Sequence, residues 1–305
     1  MKHVVSVSLG SAKRDTKQVI TLLGEQLLIE RRGTDGDMAA AATLLRELDG
    51  KVDAFGLGGM DLFVQVSGRR YYIRDAVRLA RNARITPLVC GAGLKETLER
   101  SVVELLESRL QWRGKRVLIV AAADRFGMAE ALSQAGAKLL LGDLIFALGL
   151  PIPIRSVSTL SLVVRLLAPV VLNLPFRWFY PTGSKPERVG RMVGGRFFAE
   201  AEVIAGDWHY LRRHAPERLD NKIILTNTTT RDDVAWAQER GVRLLITTTP
   251  RYQERSLPTN LLEAAFVALS GKHPLTPTDY RRLIAQAGLA PSVLELNPLP
   301  RTIPA

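Results

Sequence analysis

Asp124, Arg125, Asp143, Asp207 and His209 are the side chains whose type and spacing could do chemistry in this sequence. Asp143 closes a stretch, residues 115–143, with a definite order. The apolar run Val117-Leu118-Ile119-Val120 comes first. A small-residue turn follows, Ala121-Ala122-Ala123, then Asp124-Arg125-Phe126-Gly127 and a helix-like segment over 128–135. Gly136-Ala137 breaks the helix, and a second apolar run ends at Gly142-Asp143. Strand, small turn, helix, strand and acid are the parts of a dinucleotide-binding βαβ unit. Small residues let the backbone approach a pyrophosphate, and the helix start offers free N–H groups and a positive dipole end. An acid about twenty residues beyond the turn can accept hydrogen bonds from a ribose diol. On this reading Ala121, Ala123, Asp124, Arg125, Phe126, Gly127 and Asp143 form an NAD site, since an acid there favours a free 2′-hydroxyl over the 2′-phosphate of NADP. The G-x-G-x-x-G fingerprint itself is absent: alanines stand where the first two glycines belong, and alanine does not enter positive φ cheaply. An ordinary buried βαβ unit without ligand is the alternative reading of the same residues.

Asp207 ends a second apolar strand in Gly206-Asp207, the same ending as Gly142-Asp143. Carboxylates at the carboxyl ends of parallel strands stand where open α/β folds bind ligands. His209 follows two residues later, and a histidine beside an aspartate can work as an acid/base pair. The candidate catalytic residues are therefore Asp207 and His209, against a purely structural loop histidine. Two further strands each end in threonines, Thr226-Asn227-Thr228-Thr229-Thr230 and Thr247-Thr248-Thr249-Pro250. Their hydroxyls and the N–H groups behind them suit an anion or sugar hydroxyls, with Thr228 and Thr248 as the candidates. Capping and strand propensity explain threonines there equally well. No set of residues has metal-ligand spacing, so no metal is expected.

The elements that must position these residues read as follows. Strands are expected over 4–9, 19–23, 26–31, 52–55, 62–66, 87–90, 117–120, 138–141, 170–173, 203–205, 222–225 and 243–246, with a final one at Val293-Leu294. Helices fall between them, over 38–48 with Asp37 as cap, 76–82, 95–112, 128–135, 159–167, from Asp232 to Arg240, 261–269, and from Pro277 on. The glycine-rich turn Gly56-Leu57-Gly58-Gly59 is followed by a strand rather than a helix, which favours a tight turn over a phosphate cradle. The aromatic stretch 176–185 (Phe-Arg-Trp-Phe-Tyr-Pro-Thr-Gly-Ser-Lys) could line a pocket or dock another surface. Alternation of strands and helices makes the fold α/β: a doubly wound, mostly parallel Rossmann-like sheet over residues 113–305, with a smaller N-terminal α/β domain with hairpins over 1–112.

Composition narrows the classes. Hydrophobic residues at 47% make the chain globular rather than disordered. No apolar run reaches the length of a membrane span. The first residues go straight into a strand pattern, which predicts no signal peptide. The single cysteine, Cys90, excludes an internal disulfide and suits a reducing, cytoplasmic setting. The net charge of +12 comes from scattered arginines without a basic tail, which reads first as a solvated arginine-rich surface and second as a surface for phosphate-bearing ligands, and not as a nucleic-acid-binding one. Self-association into a homo-oligomer is left open.

Taken in order, Phe55-Gly56-Leu57-Gly58-Gly59, Asp124-Arg125-Phe126-Gly127-Met128, Gly142-Asp143, Gly206-Asp207, Thr226-Asn227-Thr228-Thr229 and Ile246-Thr247-Thr248-Thr249-Pro250 resemble the bacterial quinate 5-dehydrogenase family. The resemblance implies a two-domain oxidoreductase that moves a hydride between NAD(P) and a polyhydroxy ring acid such as quinate. The Asn-Val-Thr-x-Pro-x-Lys segment of shikimate and quinate dehydrogenases is missing, so no catalytic lysine is assigned. The alternative function is a non-redox enzyme, or a binding protein, for a phosphate- or sugar-acid-bearing ligand.

Overall fold

The computed structural model describes residues 1–175, 187–252 and 255–298. The chain folds into two compact α/β units, and each is assembled from separate stretches. One unit is Met1–Glu99 with the described parts of Val163–Gly183 and Pro258–Leu289; the other is Arg100–Leu162 with the described parts of Ser184–Leu257 and Ala290–Ala305. The expected division at 112/113 treats each domain as continuous. The observed division differs because the helices Thr259–Ser270 and Pro277–Gln286 belong with the N-terminal sheet. For the same reason the first unit is not merely the N-terminal third of the chain.

The first unit is a five-stranded sheet in the order Thr16–Leu22, Glu25–Gly33, Lys2–Ser8, Ala54–Gly58, Leu88–Val89. Only the Thr16–Leu22 edge strand is antiparallel, joined to Glu25–Gly33 by the expected hairpin, in which Leu23 and Gly24 take positive φ. Val5, Val7, Phe55 and Leu57 fill one core together with Ala41 and Leu45 of the helix Met38–Leu48. Asp37 caps that helix by accepting from the N–H groups of Ala39 and Ala40. The helix Thr259–Ser270 is buried along nearly its whole length. It approaches the sheet so closely that a Cβ on Gly56 would lie 2.8 Å from the Asn260 carbonyl oxygen. Gly56 and Gly58 thus admit the Asn260 region of a helix of the same chain, the close backbone approach a small residue allows.

The second unit is a six-stranded sheet in the order Ser292–Glu295, Leu244–Thr247, Ile223–Thr226, Val203–Ala205, Arg116–Ile119, Lys138–Leu141. All neighbours are parallel except the Ser292–Glu295 edge. This is the doubly wound α/β arrangement expected from the alternation of elements. The chain leaves Arg116–Ile119 for one side of the sheet and returns on the other at Val203–Ala205, so the order reverses between these two strands. Leu118, Val120, Leu140, Ile204, Ile224 and Leu245 are fully or nearly fully buried under Phe146, Phe198, Trp208 and Leu211.

Two element assignments change. Residues 170–173 are not a strand: Val157–Val171 is one helix, because Leu160, Val164 and Ala168 are buried at helical spacing. The long helix expected over 95–112 is Ala92–Leu105 followed by a short turn of helix, Glu107–Leu110, ended by Gln111 in the left-handed region. The aromatic stretch 176–185 lies outside the described residues.

Candidate functional site

The turn Ala121–Asp124 leaves the strand Arg116–Ile119, and the helix Phe126–Gln134 starts behind it, as the motif requires. What fills the turn is the chain itself. The Asp143 carboxylate accepts a hydrogen bond from the Ala123 N–H at 2.8 Å and from the Ala122 N–H at 3.1 Å. The N–H groups that would hold a pyrophosphate are therefore already bonded to an anion, which would also repel a second one. Asp143 sits deep in the unit with part of the residue still reached by solvent. Burial pushes its carboxyl group up to about 6; the two N–H bonds act the other way, and nearby Asp124 adds to the rise. Phe126 and Gly127 are buried in the helix start and form part of its packing. Thus Ala121, Ala123, Phe126, Gly127 and Asp143 are not assembled as an NAD site. Asp143 serves as an internal stand-in for the ligand anion, and the NAD expectation is corrected on that ground.

The point where strand order reverses is occupied by a different cluster. Arg125, 1% exposed, places a guanidinium nitrogen 3.7 Å from the Asp207 carboxylate and 3.9 Å from that of Asp124. Gly206 has φ +139°, and a Cβ there would strike Val120, so only glycine brings Asp207 out at this angle. Asp207 caps the helix Trp208–His214 by accepting from the backbone N–H groups of His209 and Tyr210 at 2.9 and 3.2 Å. Its other oxygen accepts from the Asn227 side-chain amide at 3.1 Å, and the Asn227 oxygen accepts from the Trp208 N–H at 3.3 Å. Asp207 meets His209 through the backbone of the histidine. The cap accounts for the Asp-x-His spacing, and His209 is an exposed residue. Asn227 is the residue that reading the sequence for charge and glycine passed over. Its signal was its place at the end of the strand beside Asp207.

The threonine-rich strand ends pack side by side, since Thr226 is in register with Thr247. Most of their hydroxyls are used internally. Thr226 donates to the Gly206 carbonyl at 2.8 Å, and Thr247 donates to that of Thr249 at 3.0 Å. Thr249 reaches the carbonyls of Asn227 and Leu257 at 3.0 and 2.8 Å. Thr230 and Asp233 form a capping box for the helix Arg231–Glu239. The Thr229 N–H donates to the Ser256 hydroxyl at 2.7 Å, and Arg251 donates to the Thr229 hydroxyl at 2.9 Å. Thr228 and Thr248 are the two whose hydroxyls have no partner among the described residues. Thr248 is wholly enclosed, while Thr228 is half-buried next to Asn227.

The first unit contains a second cradle filled in the same way. Gly91-Ala92-Gly93 opens the helix Ala92–Leu105, and its Gly91 and Gly93 N–H groups donate to the Glu263 carboxylate, the latter at 3.0 Å. Tyr280 donates its hydroxyl to the same carboxylate. Burial raises the Glu263 carboxyl above its ordinary range, against the pull of Tyr280 and of the two glycines. Nearby, Lys95 and Asp61 form an ion pair at 2.7 Å. No group of side chains among the described residues could hold a metal ion.

Two family models match the chain. Domain of unknown function (DUF8754) matches residues 93–296, and Domain of unknown function (DUF8753) matches residues 3–90. The chain belongs to the DUF8754 family. Its DUF8754 region carries the Asp143 turn, the Asp207–Asn227 cluster and Glu263. No curated protein matches the chain. Among solved structures it is similar to one from Mycobacterium smegmatis in complex with beta-D-fucofuranose, at 9% identity and TM-score 0.37, covering 97% of this chain and 92% of that one. It is also similar to an arabinose-binding protein from Geobacillus stearothermophilus, at 10% identity and TM-score 0.39, covering 96% of each chain. A sugar-binding protein of a sugar ABC transporter from Bacillus halodurans matches at 10% identity and TM-score 0.39, covering 98% and 93%. Neither family model is described as a quinate dehydrogenase and none of these three structures is described as one, so the quinate-dehydrogenase resemblance, and with it the NAD expectation, is withdrawn. At these TM-scores the likeness carries no argument about this chain's own ligand.

Proposed function

We propose that this protein binds a small polyhydroxylated ligand, a sugar or sugar acid, without redox chemistry, at the carboxyl edge of the second unit's sheet. The observation that carries the reading is the Asp207–Asn227 pair at the strand-order reversal, hydrogen-bonded at 3.1 Å, partly exposed and backed by Arg125 at 3.7 Å. A ligand hydroxyl both donates and accepts. A carboxylate accepts and an amide does both, so the partly exposed Asp207–Asn227 pair can hold two neighbouring hydroxyls, with the buried Arg125 behind it balancing the carboxylate's charge. Phosphate groups fit the edge poorly, because the N–H groups of the Ala121–Ala123 turn are held by Asp143. Thr228, adjacent to Asn227, is half-buried, but its hydroxyl is enclosed and without a partner among the described residues.

The test is calorimetric titration with L-arabinose, D-ribose, D-galactose, D-glucuronate, quinate and NAD. At least one of the sugars or acids is expected to bind and NAD is not. Asn227→Ala should weaken the bound ligand about tenfold or more, the loss of one good hydrogen bond to a charged or polar partner. Absence of binding by all of the sugars and acids at millimolar concentration would overturn the proposal. So would binding that Asn227→Ala leaves unchanged.

A further inference from the structure

The sequence from Leu144 to Pro186 contains no aspartate or glutamate, while Arg155, Arg165, Arg177 and Lys185 lie within it. The rest of the stretch is dominated by apolar residues and includes Phe176, Trp178, Phe179 and Tyr180. Its central helix, Val157–Val171, is amphipathic in an unusual sense. Leu160, Val164 and Ala168 face the interior, but the outward face is also aliphatic, with Leu162 56%, Leu166 66% and Val170 65% exposed. These three are spaced by four residues and form one stripe, with Leu167 beside it. Before the helix, Leu150 and Ile152 are exposed as well. Arg155 and Arg165 are exposed, and neither is in an ion pair among the described residues. A solvated helix face normally carries charged residues of both signs. Here, beyond Ser158 and Thr159 at its start, it carries leucine, valine, Pro169 and arginine and no carboxylate.

We propose that this face binds an anionic lipid bilayer surface. Exposed aliphatic residues gain by leaving water, and unpaired arginines gain beside anionic headgroups; together they make an interfacial helix. No described helix is long and apolar enough to cross a membrane, so the contact is apposition and not insertion of a span. A second copy of the chain is the poorer occupant. Stacking this face on itself would bring Arg155 and Arg165 against their own kind with no carboxylate in the stretch to receive them.

Flotation with vesicles of equimolar phosphatidylglycerol and phosphatidylcholine tests this on the full chain, beside vesicles of phosphatidylcholine alone. The protein is expected to float with the anionic vesicles, at least about tenfold more weakly with the neutral ones, and more weakly at high salt. Leu166→Glu with Val170→Glu should cut anionic binding about tenfold or more. Both positions are exposed, so an unchanged melting temperature and circular dichroism spectrum would show that the variant is folded. No flotation, or equal flotation with both vesicle types, would overturn the proposal. So would anionic binding that the double variant retains. Concentration-dependent dimerisation abolished by the double variant, without vesicle binding, would overturn it and give the face to a second copy.

Discussion

The Asp143 carboxylate lies 2.8 Å from the Ala123 N–H and 3.1 Å from the Ala122 N–H, so an acid twenty residues away in sequence closes the turn that precedes the helix Phe126–Gln134. In a dinucleotide site the same two positions have separate tasks, the turn for the pyrophosphate and the acid for the ribose. Here one satisfies the other. Asp143→Ala should therefore orphan two N–H groups and lower stability by about 1–3 kcal/mol. Urea unfolding measures this directly, and unchanged stability would show that the carboxylate does not hold the turn. Neither the parent protein nor the variant is expected to show an NAD-dependent shift in melting temperature.

Two groups in the same core should give opposite pH dependence. His214 is buried against Phe146 and Tyr210, with ring centroids 5.0 and 4.9 Å away. Burial first, and nearby Arg213 second, lower it to about 4. A depressed histidine contributes stability that is present above its unfolded value near 6.5 and is lost as pH falls toward 4. Asp143, raised to about 6, contributes stability that is present below about 4 and is lost as pH rises through 6. Each effect is on the order of 1–3 kcal/mol. The two oppose each other between pH 4 and 6.5. Asp143→Asn should leave a stability that rises with pH across this window, and His214→Phe one that falls. Denaturation midpoints at four pH values for both variants would check the signs, and the same slope in both would refute the assignment.

Glu263 should be the most sensitive side chain of the first unit. It is 3% exposed and accepts from Gly91, Gly93 and Tyr280. Tyr280→Phe removes one donor to a buried charge and should cost about 1.5–3 kcal/mol. Glu263→Ala leaves two N–H groups and a buried hydroxyl unpaired and should cost more. Gly93→Ala should also destabilise, since its Cβ would strike the Tyr280 ring. A Glu263→Ala variant as stable as the parent would show that the cradle is held by something else.

The two capping boxes offer a milder test. Thr276 accepts from the Asp279 N–H, and the Asp279 carboxylate accepts from the Thr276 N–H at 2.8 Å. Thr276→Ala should cost about 1 kcal/mol. The same substitution at Thr230, boxed with Asp233, should cost a similar amount. Thermal unfolding reads both, and losses well beyond this would point to a second task for the hydroxyl.

Sequence alone determined the local elements and the class of fold. Apolar runs and glycine breaks marked the strands of the second sheet, including a final one at Val293-Leu294, while its antiparallel direction came from the tertiary structure. Asp37 and Thr276-Pro277 marked their helix starts, because a cap bonds N–H groups two or three residues away and needs no distant partner. The sequence also singled out Asp207, Thr228 and Thr248, which follow the carboxyl ends of that sheet's parallel strands, and Arg125, which pairs with Asp207. Tertiary structure decided what these residues face. The strand expected at 170–173 became helix because Leu160, Val164 and Ala168 found a core on one side, which periodicity over four residues cannot signal. The Asp143 motif has nucleotide-site spacing, yet its turn bonds the acid itself, an outcome set by where two strands lie in the sheet. Glu263 reaches Gly91 across a separation of 172 residues. Such pairings depend on three-dimensional proximity. No local propensity encodes them, so the same short motif can hold a ligand in one fold and a side chain in another.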